Sequence, residues 1–298
     1  MQPVIFRDRH TGLLVEERVY SGKFLPWAYS TRVGWWLMDL VLSRRFVSWF
    51  YGWLNKQHWS RHKIVPFIRR MAVDLNDVLT PLDQFRSFND FIIRDIDLRR
   101  RPIDPSPNVC IAPADGRFLT YPRINATATF RIKHATFNLF RFLCNDDLAR
   151  TFDGGAMAIC RLALADYHHF HFPVAGVLRP PIKIRGRYFA VTPYAERRLQ
   201  PFYAQNYRVL TLIESDLFGS VLMIEVGAFT VGSLRECYTP GAPVRRAQRK
   251  GLFELGGSII VLLFEPGTIE FDDDLCASTR NGVETQVRLG ESIGRAAS

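Results

Sequence analysis

Three histidines fall within four positions of this chain, in Asp166-Tyr-His-His-Phe-His-Phe-Pro, out of seven in total. Histidine is the side chain that exchanges protons near neutral pH, so an aspartate, a tyrosine and three imidazoles in one short run point to proton transfer. On a strand, His169 and His171 share one face and His168 takes the other. His-x-His also resembles half of a metal site, but no third ligand follows at a usual spacing, and no metal is expected. A second candidate is Pro113-Ala-Asp115-Gly116-Arg, where Asp-Gly after an apolar run reads as a turn. The third is Gly256-Gly257-Ser258, which opens the apolar run Ile259 to Phe264. A serine there is a nucleophile if a histidine activates it and an acid orients that histidine; the alternative is a plain Gly-Gly turn. No nucleophile elbow, phosphate-binding loop or dinucleotide fingerprint is present.

The elements that must hold these residues fall into two textures. Residues 1–103 read as mostly helical. All six tryptophans lie between Trp27 and Trp59. The runs Val33 to Leu42 and Phe46 to Leu54 are apolar, with Ser43-Arg-Arg between them. Such runs either lie in a membrane interface or pack as a helical subdomain. Ser60 stands where a helix cap belongs, and Ser87-Phe-Asn-Asp-Phe-Ile-Ile-Arg also reads as helical. Arg99-Arg-Arg-Pro-Ile-Asp-Pro-Ser-Pro marks the boundary, because three closely spaced prolines stop helix. Residues 104–298 then carry runs rich in β-branched and aromatic residues: Val109 to Tyr121, Ala156 to Leu164, Tyr207 to Glu214, Ser220 to Val231 and Ser258 to Phe264. These read as strands. The fold class expected is α+β, an N-terminal helical segment followed by a β-rich catalytic domain.

Composition narrows the function classes. The chain has 298 residues, 39 Lys plus Arg against 29 Asp plus Glu, and a net charge of +10. Such a surplus suits a polyanion, either nucleic acid or anionic lipid. The basic residues are dispersed and form no nucleic-acid-binding motif, so no nucleic-acid partner is expected. No run is long enough for a membrane span, and the first residues lack an apolar signal core. Five cysteines without a C-x-x-C pair argue against a disulfide framework and for a reducing compartment.

Taken together, the three motifs resemble the pyruvoyl-dependent phosphatidylserine decarboxylases. That family carries P-x-D-G, D-Y-H-x-x-H and a G-S cleavage site in this order, here at Asp115, at His168 to His171 and at Gly257-Ser258. Phe88-Asn-Asp-Phe-Ile-Ile-Arg, Arg101-Pro-Ile-Asp and Val226-Gly-Ala-Phe-Thr-Val-Gly-Ser are similar to further family segments. The resemblance implies that Asp115 orients and charge-stabilises His171, that His171 takes the proton of Ser258, and that Ser258 Oγ attacks the Gly257 carbonyl. The chain would then part between 257 and 258, leaving residue 258 as a pyruvoyl cofactor, an electron sink that forms a Schiff base with the substrate amine. His168 would protonate the decarboxylated product. The implied substrate is phosphatidylserine and the product phosphatidylethanolamine with CO₂. The implied setting is peripheral attachment to the anionic, cytoplasmic face of the cell membrane, with the large and small chains together and a homodimer as an option. Departures from the family lie at Arg246-Ala247-Gln248-Arg249, where a glycine and an acid are lost, at Ile259 after the serine, and at Lys133-His134. Alternatives are a pyruvoyl enzyme for another amino compound, such as an aromatic amino acid, a serine hydrolase that never cleaves itself, and a basic adaptor protein.

Overall fold

The structure is a computed structural model, and it describes residues 4–20, 24–101, 103–125, 130–132, 135–189, 202–228, 234–255 and 258–297. Gly256, Gly257, Lys133 and His134 lie outside the described residues. The elements used below are the strands β1 (Ile5–Asp8), β2 (Gly116–Tyr121), β3 (Ala156–Leu162), β4 (His169–His171), β5 (Arg208–Ser215), β6 (Gly219–Val226), β7 (Arg249–Phe253), β8 (Ser258–Phe264) and β9 (Glu284–Val287), and the helices α1 (Arg45–Lys56), α2 (Ile64–Met71) and α3 (Phe88–Ile92).

The α+β expectation is met. Most of the β structure is one eleven-stranded sheet whose centre runs β5-β6-β8-β3-β2-β9-β1. Neighbours in that series are antiparallel except β9 and β1, which pair in parallel. Each predicted strand run contains a strand. β3 and β8 are buried along their whole length, which is why their sequences are continuous apolar runs rather than alternating ones. Their side chains dominate the main core, together with Phe118, Phe170, Phe172 and Phe253.

Two features of the first hundred residues differ from the helical reading. The chain enters as a strand, β1, which joins the main sheet. The helical part also does not end at the proline-rich boundary in packing terms. Its own core of Ile64, Phe67, Met71, Phe85, Phe88, Phe91 and Ile92 includes Leu255, which lies three residues before Ser258. Residues 88–92 form a helix as expected, and Ser87 caps it, accepting from the Asp90 amide at 3.1 Å. Ser60 is not a cap: its hydroxyl donates to the Asn55 and Gln57 carbonyls and accepts from Phe88 N–H, bridging two helical turns to α3.

α1 is amphipathic with its apolar side turned outward. Phe46, Trp49, Phe50 and Trp53, spaced i, i+3, i+4 and i+7, are 69, 55, 45 and 46 % exposed. The face turned inward carries Ser48, Gly52 and Asn55. That is the reverse of a helix that packs its apolar stripe on a core.

Candidate active site

β4 carries the histidines. It pairs with β7 in a small separate sheet, and His168, His169 and His171 are all buried. A carbonyl can only accept, so each imidazole's protonated nitrogen can be assigned from its partner. His171 Nδ1–H donates to the Ala247 carbonyl at 2.8 Å, leaving Nε2 as the basic atom, 3.5 Å from the Tyr167 hydroxyl. His168 Nδ1–H donates to the Asp166 carbonyl at 2.9 Å, so its Nε2 is likewise the basic atom. His169 is the reverse: Nε2–H donates to the Ile93 carbonyl at 2.8 Å, and its ring stacks on Tyr167 with centroids 4.9 Å apart. Burial pushes both His169 and His171 down to about 4, so both rings are neutral at pH 7.

Asp115 stands beside this strand. The His171 amide donates to the Pro113 carbonyl at 2.8 Å, which ties the two motifs together. The carboxylate accepts from the Leu289 amide at 2.7 Å and from Arg101 at 3.2 Å; no hydrogen bond joins it to His171. Burial raises its pKa, opposed by the charge of Arg101. Gly116 is not a turn glycine. It is the first residue of β2, and a Cβ there would lie 2.5 Å from Cys160 Sγ. Glycine is required because the backbone packs directly against β3.

Ser258 opens β8 and pairs with Leu162 of β3. Its hydroxyl oxygen is fully buried and has no hydrogen-bond partner among the described residues. Three elements clamp the segment that leads to it. Phe253 N–H donates to the His168 carbonyl at 2.9 Å. Lys56 at the end of α1 pairs with Glu254 at 2.6 Å. Leu255 N–H donates to Asn89 of α3 at 3.0 Å. The site's serine and histidine strand are thus five residues or fewer from a shared backbone contact. In register, Leu162 faces Ser258 on one side. The β2–β3 pairing, carried one residue beyond Arg117 and Arg161, sets Gly116 on its other side. Two strand spacings of about 4.8 Å then separate the Ser258 backbone from the end of the Asp115 loop.

Buried ion pairs frame the site. Arg161 bridges Glu17 and Glu284 at 2.8 and 2.7 Å, and Arg117 pairs with Asp166. Asp166 also accepts from Ala163 N–H, so this acid holds the turn between β3 and β4 rather than reaching toward Ser258. Behind β4, Lys250 and Glu225 form a fully buried pair at 2.9 Å. Tyr167 was legible as the tyrosine of the histidine run, but sequence reasoning gave no role to Arg94, Arg101, Arg117, Glu225 or Lys250. The three arginines sit inside or at the end of the segments that carry the family resemblance, which was the signal that could have found them; for Glu225 and Lys250 a charged residue inside or at the edge of an apolar run was the only hint.

The deep, unbonded Ser258 hydroxyl fits a nucleophile that attacks its own preceding peptide, and the residues preceding it are both glycine. Two imidazoles, His168 and His171, whose basic atoms are fixed by backbone carbonyls suit proton removal and delivery. The class this defines is an α+β protein with a buried serine at the head of a central antiparallel strand and buried histidines on a small adjoining sheet. Residues 88–295 match the phosphatidylserine decarboxylase family. The chain is 38 % identical over 295 residues to the phosphatidylserine decarboxylase proenzyme of Chlamydia felis (strain Fe/C-56), covering 99 % of each. It is 38 % identical over 289 residues to that of Desulfitobacterium hafniense (strain DSM 10664 / DCB-2), covering 97 % of each. With the Chlamydia trachomatis serovar L2 (strain ATCC VR-902B / DSM 19102 / 434/Bu) proenzyme it shares 36 % over 292 residues, 98 % of this chain and 97 % of the relative. The chain belongs to the phosphatidylserine decarboxylase family and is a carboxy-lyase.

Proposed function

We propose that this chain cleaves itself between Gly257 and Ser258 and then converts phosphatidylserine to phosphatidylethanolamine and CO₂ at the membrane surface. The observation that carries the reading is the Ser258 hydroxyl, buried and without a hydrogen-bond partner among the described residues, at the head of β8 and five residues after Phe253, whose amide binds the His168 carbonyl. The printed names of the relatives, phosphatidylserine decarboxylase proenzyme, support both the substrate and a processed chain.

In this reading His171 Nε2 removes the Ser258 proton. Ser258 Oγ adds to the Gly257 carbonyl carbon and the C–N bond to residue 258 breaks, turning amide into ester. Elimination releases the Gly257 carboxylate, and hydrolysis of the residue left at 258 expels ammonia. The pyruvoyl group so made supplies the electron sink that the natural side chains lack. His171 is suited to the first step because burial keeps it neutral and the Ala247 carbonyl fixes its tautomer. Asp115 acts through its charge, its oxygens fixed by Leu289 and Arg101. His168 Nε2 delivers the proton that replaces CO₂ at the substrate Cα. A hydrolase triad would need a carboxylate on His171 Nδ1, and that nitrogen is engaged by a carbonyl.

The outward aromatic face of α1 supports membrane attachment. Lys56 at the end of that helix reaches Glu254, so a helix lying on lipid would also brace the cleavage segment. No helix among the described residues is long and apolar enough to cross a membrane. This reading divides the chain at residue 103 into a membrane-associating segment and a catalytic domain.

Denaturing electrophoresis with intact mass tests the reading. Wild type resolves into residues 1–257 and a smaller piece with a blocked N terminus, and it releases CO₂ from phosphatidylserine vesicles. Ser258→Ala remains one chain. His171→Ala slows cleavage by roughly 10²–10⁴-fold, the usual share of a general base. A wild-type chain that stays whole and inert toward phosphatidylserine overturns the proposal.

A further inference from the structure

Arg94 follows α3 and is 5 % exposed. Its guanidinium donates to the Ala165 carbonyl at 2.7 Å and more weakly to the Phe91 carbonyl at 3.5 Å, and it lies 5.1 Å from the Phe91 ring. Its Nε–H has no acceptor, and no carboxylate among the described residues lies within ion-pair distance. An unpaired buried cation is costly, and carbonyl dipoles offset only part of that cost. The acids nearest it are committed elsewhere: Asp115 to Arg101 and Leu289, Asp166 to Arg117 and Ala163.

Arg94 lines a cavity of about 280 Å³ that Asp115, Tyr167 and Arg101 also border. Arg101, unlike Arg94, is paired, with Asp77 at 2.7 Å and Asp115 at 3.2 Å, but its Nε–H is still without an acceptor. The volume is just under the roughly 300–1,000 Å³ of drug-sized ligand pockets, which suits a compact polar group rather than an acyl chain. Two connections link the cavity wall to the segment around Ser258. Ala163 and Ala165 on its wall lie one and three residues after Leu162, the partner of Ser258, and α3, which leads into Arg94, holds Leu255 through Asn89.

We propose that Arg94, assisted by Arg101, binds the phosphodiester of the lipid headgroup, which supplies the anion this buried guanidinium lacks. The assignment rests on the decarboxylase reading above. Of the substrate's two anionic groups, the phosphodiester is the one that suits an arginine. A guanidinium on the carboxylate would stabilise the starting charge that must vanish as CO₂ leaves, and so would raise the barrier. The phosphodiester keeps its charge throughout and can anchor the substrate without penalty.

The test uses the processed enzyme and short-chain phosphatidylserine. Arg94→Met self-cleaves like wild type but raises KM by roughly 10–100-fold, the loss expected for a charge-assisted donor, with little change in kcat. Glycerophosphoethanolamine raises the Tm of wild type and competes with substrate, whereas ethanolamine, which has the amine without the phosphodiester, does neither at equal concentration. Inorganic phosphate at matched ionic strength gives a smaller shift of the same sign if a bare phosphate suffices, and none if the whole headgroup is read; both support the site. In Arg94→Met the glycerophosphoethanolamine shift disappears. If that variant does not accumulate, Arg94→Lys takes its place; it keeps the buried charge but loses the bidentate fork, so KM rises and the glycerophosphoethanolamine shift shrinks by less than in Arg94→Met, and values equal to wild type overturn the assignment. An unchanged KM and Tm shift in the variant, or equal effects of the two amines on wild type, overturns the assignment. A wild type that neither cleaves nor decarboxylates would instead remove the decarboxylase reading beneath it.

Discussion

Ala247 is a residue on which the histidine depends, and it sits in a conformation that suits glycine. Its φ is +62°, in the left-handed region, and its carbonyl is the acceptor for His171 Nδ1–H. The glycine that the resembled family carries at this place is therefore a backbone requirement, and this chain meets it with an alanine under strain. Left-handed backbone costs an L-residue roughly 1–2 kcal/mol, while the extra freedom of glycine in the unfolded chain costs about 0.5–1 kcal/mol. Relief of strain wins narrowly, so Ala247→Gly raises stability by about 0.5–1 kcal/mol and Tm by about 2 °C, read by calorimetry, without slowing self-cleavage. A loss of stability would show that the strain is absent. His169 offers a separate test. Its folded pKa of about 4 lies below the usual 6.5, so the unfolded chain binds its proton first. The stability this histidine secures is complete above about pH 6.5 and is lost as pH falls toward 4. His169→Gln, whose amide can still donate to Ile93, flattens the dependence of unfolding free energy on pH between 4 and 6.5 by up to about 1.4 kcal/mol per unit. Equal slopes in urea titrations of the two proteins would refute the assignment.

Among the elements, α1 shows how far periodicity can be read. Its apolar residues follow helical spacing in the sequence, so the helix was legible, but which side they face was not. Direction depends on what the opposite side packs against, and here Ser48, Gly52 and Asn55 fill that place. Strands were legible for a simpler reason: a strand buried on both faces is a continuous apolar run, and β3 and β8 are both of that kind. The charged partners of the site were not legible. Glu17 meets Arg161, and Glu225 meets Lys250, across separations that carry no periodic signal. Lys250 is moreover the extra residue at a bulge in β7, between Arg249 and Gly251, so alternation misplaces its side chain. The outward face of α1 yields its own expectation. Replacing Phe46, Trp49 and Trp53 together by serine leaves folding within about 0.5 kcal/mol, as for exposed sites generally. Binding to vesicles rich in anionic lipid falls by about 100-fold if each aromatic contributes near 1 kcal/mol. Sedimentation of both proteins with vesicles measures it, and equal partitioning would show that α1 faces another partner. Removing residues 1–60 would be a poorer test, because it also takes away β1 and the Glu17 carboxylate buried between Arg117 and Arg161.

At the scale of the whole molecule, the position of the proposed cleavage site decides what cleavage there would do to the structure. Residues 258–298 are not a tail. β8 lies in the middle of the main sheet, with six register pairs to β6 and seven to β3. β9, from the same piece, lies between β2 and β1, so each of its edges is also covered by the larger piece. Arg161 reaches from β3 to Glu284 of β9 in a buried ion pair. Breaking the 257–258 bond would therefore free a new terminus without freeing either strand, since the ladders of β8 and β9 and the apolar packing of Ile259 to Phe264 do not depend on that bond. The two pieces are expected to co-elute in gel filtration under native conditions and to part only in denaturant, with a single cooperative transition for both. The larger piece expressed alone would expose the edges of β3, β6, β2 and β1 and should aggregate rather than fold. Separation of the two chains in native buffer, or a soluble and compact 1–257, would mean that the small piece is a detachable segment and that β8 and β9 do not hold interior places in the sheet.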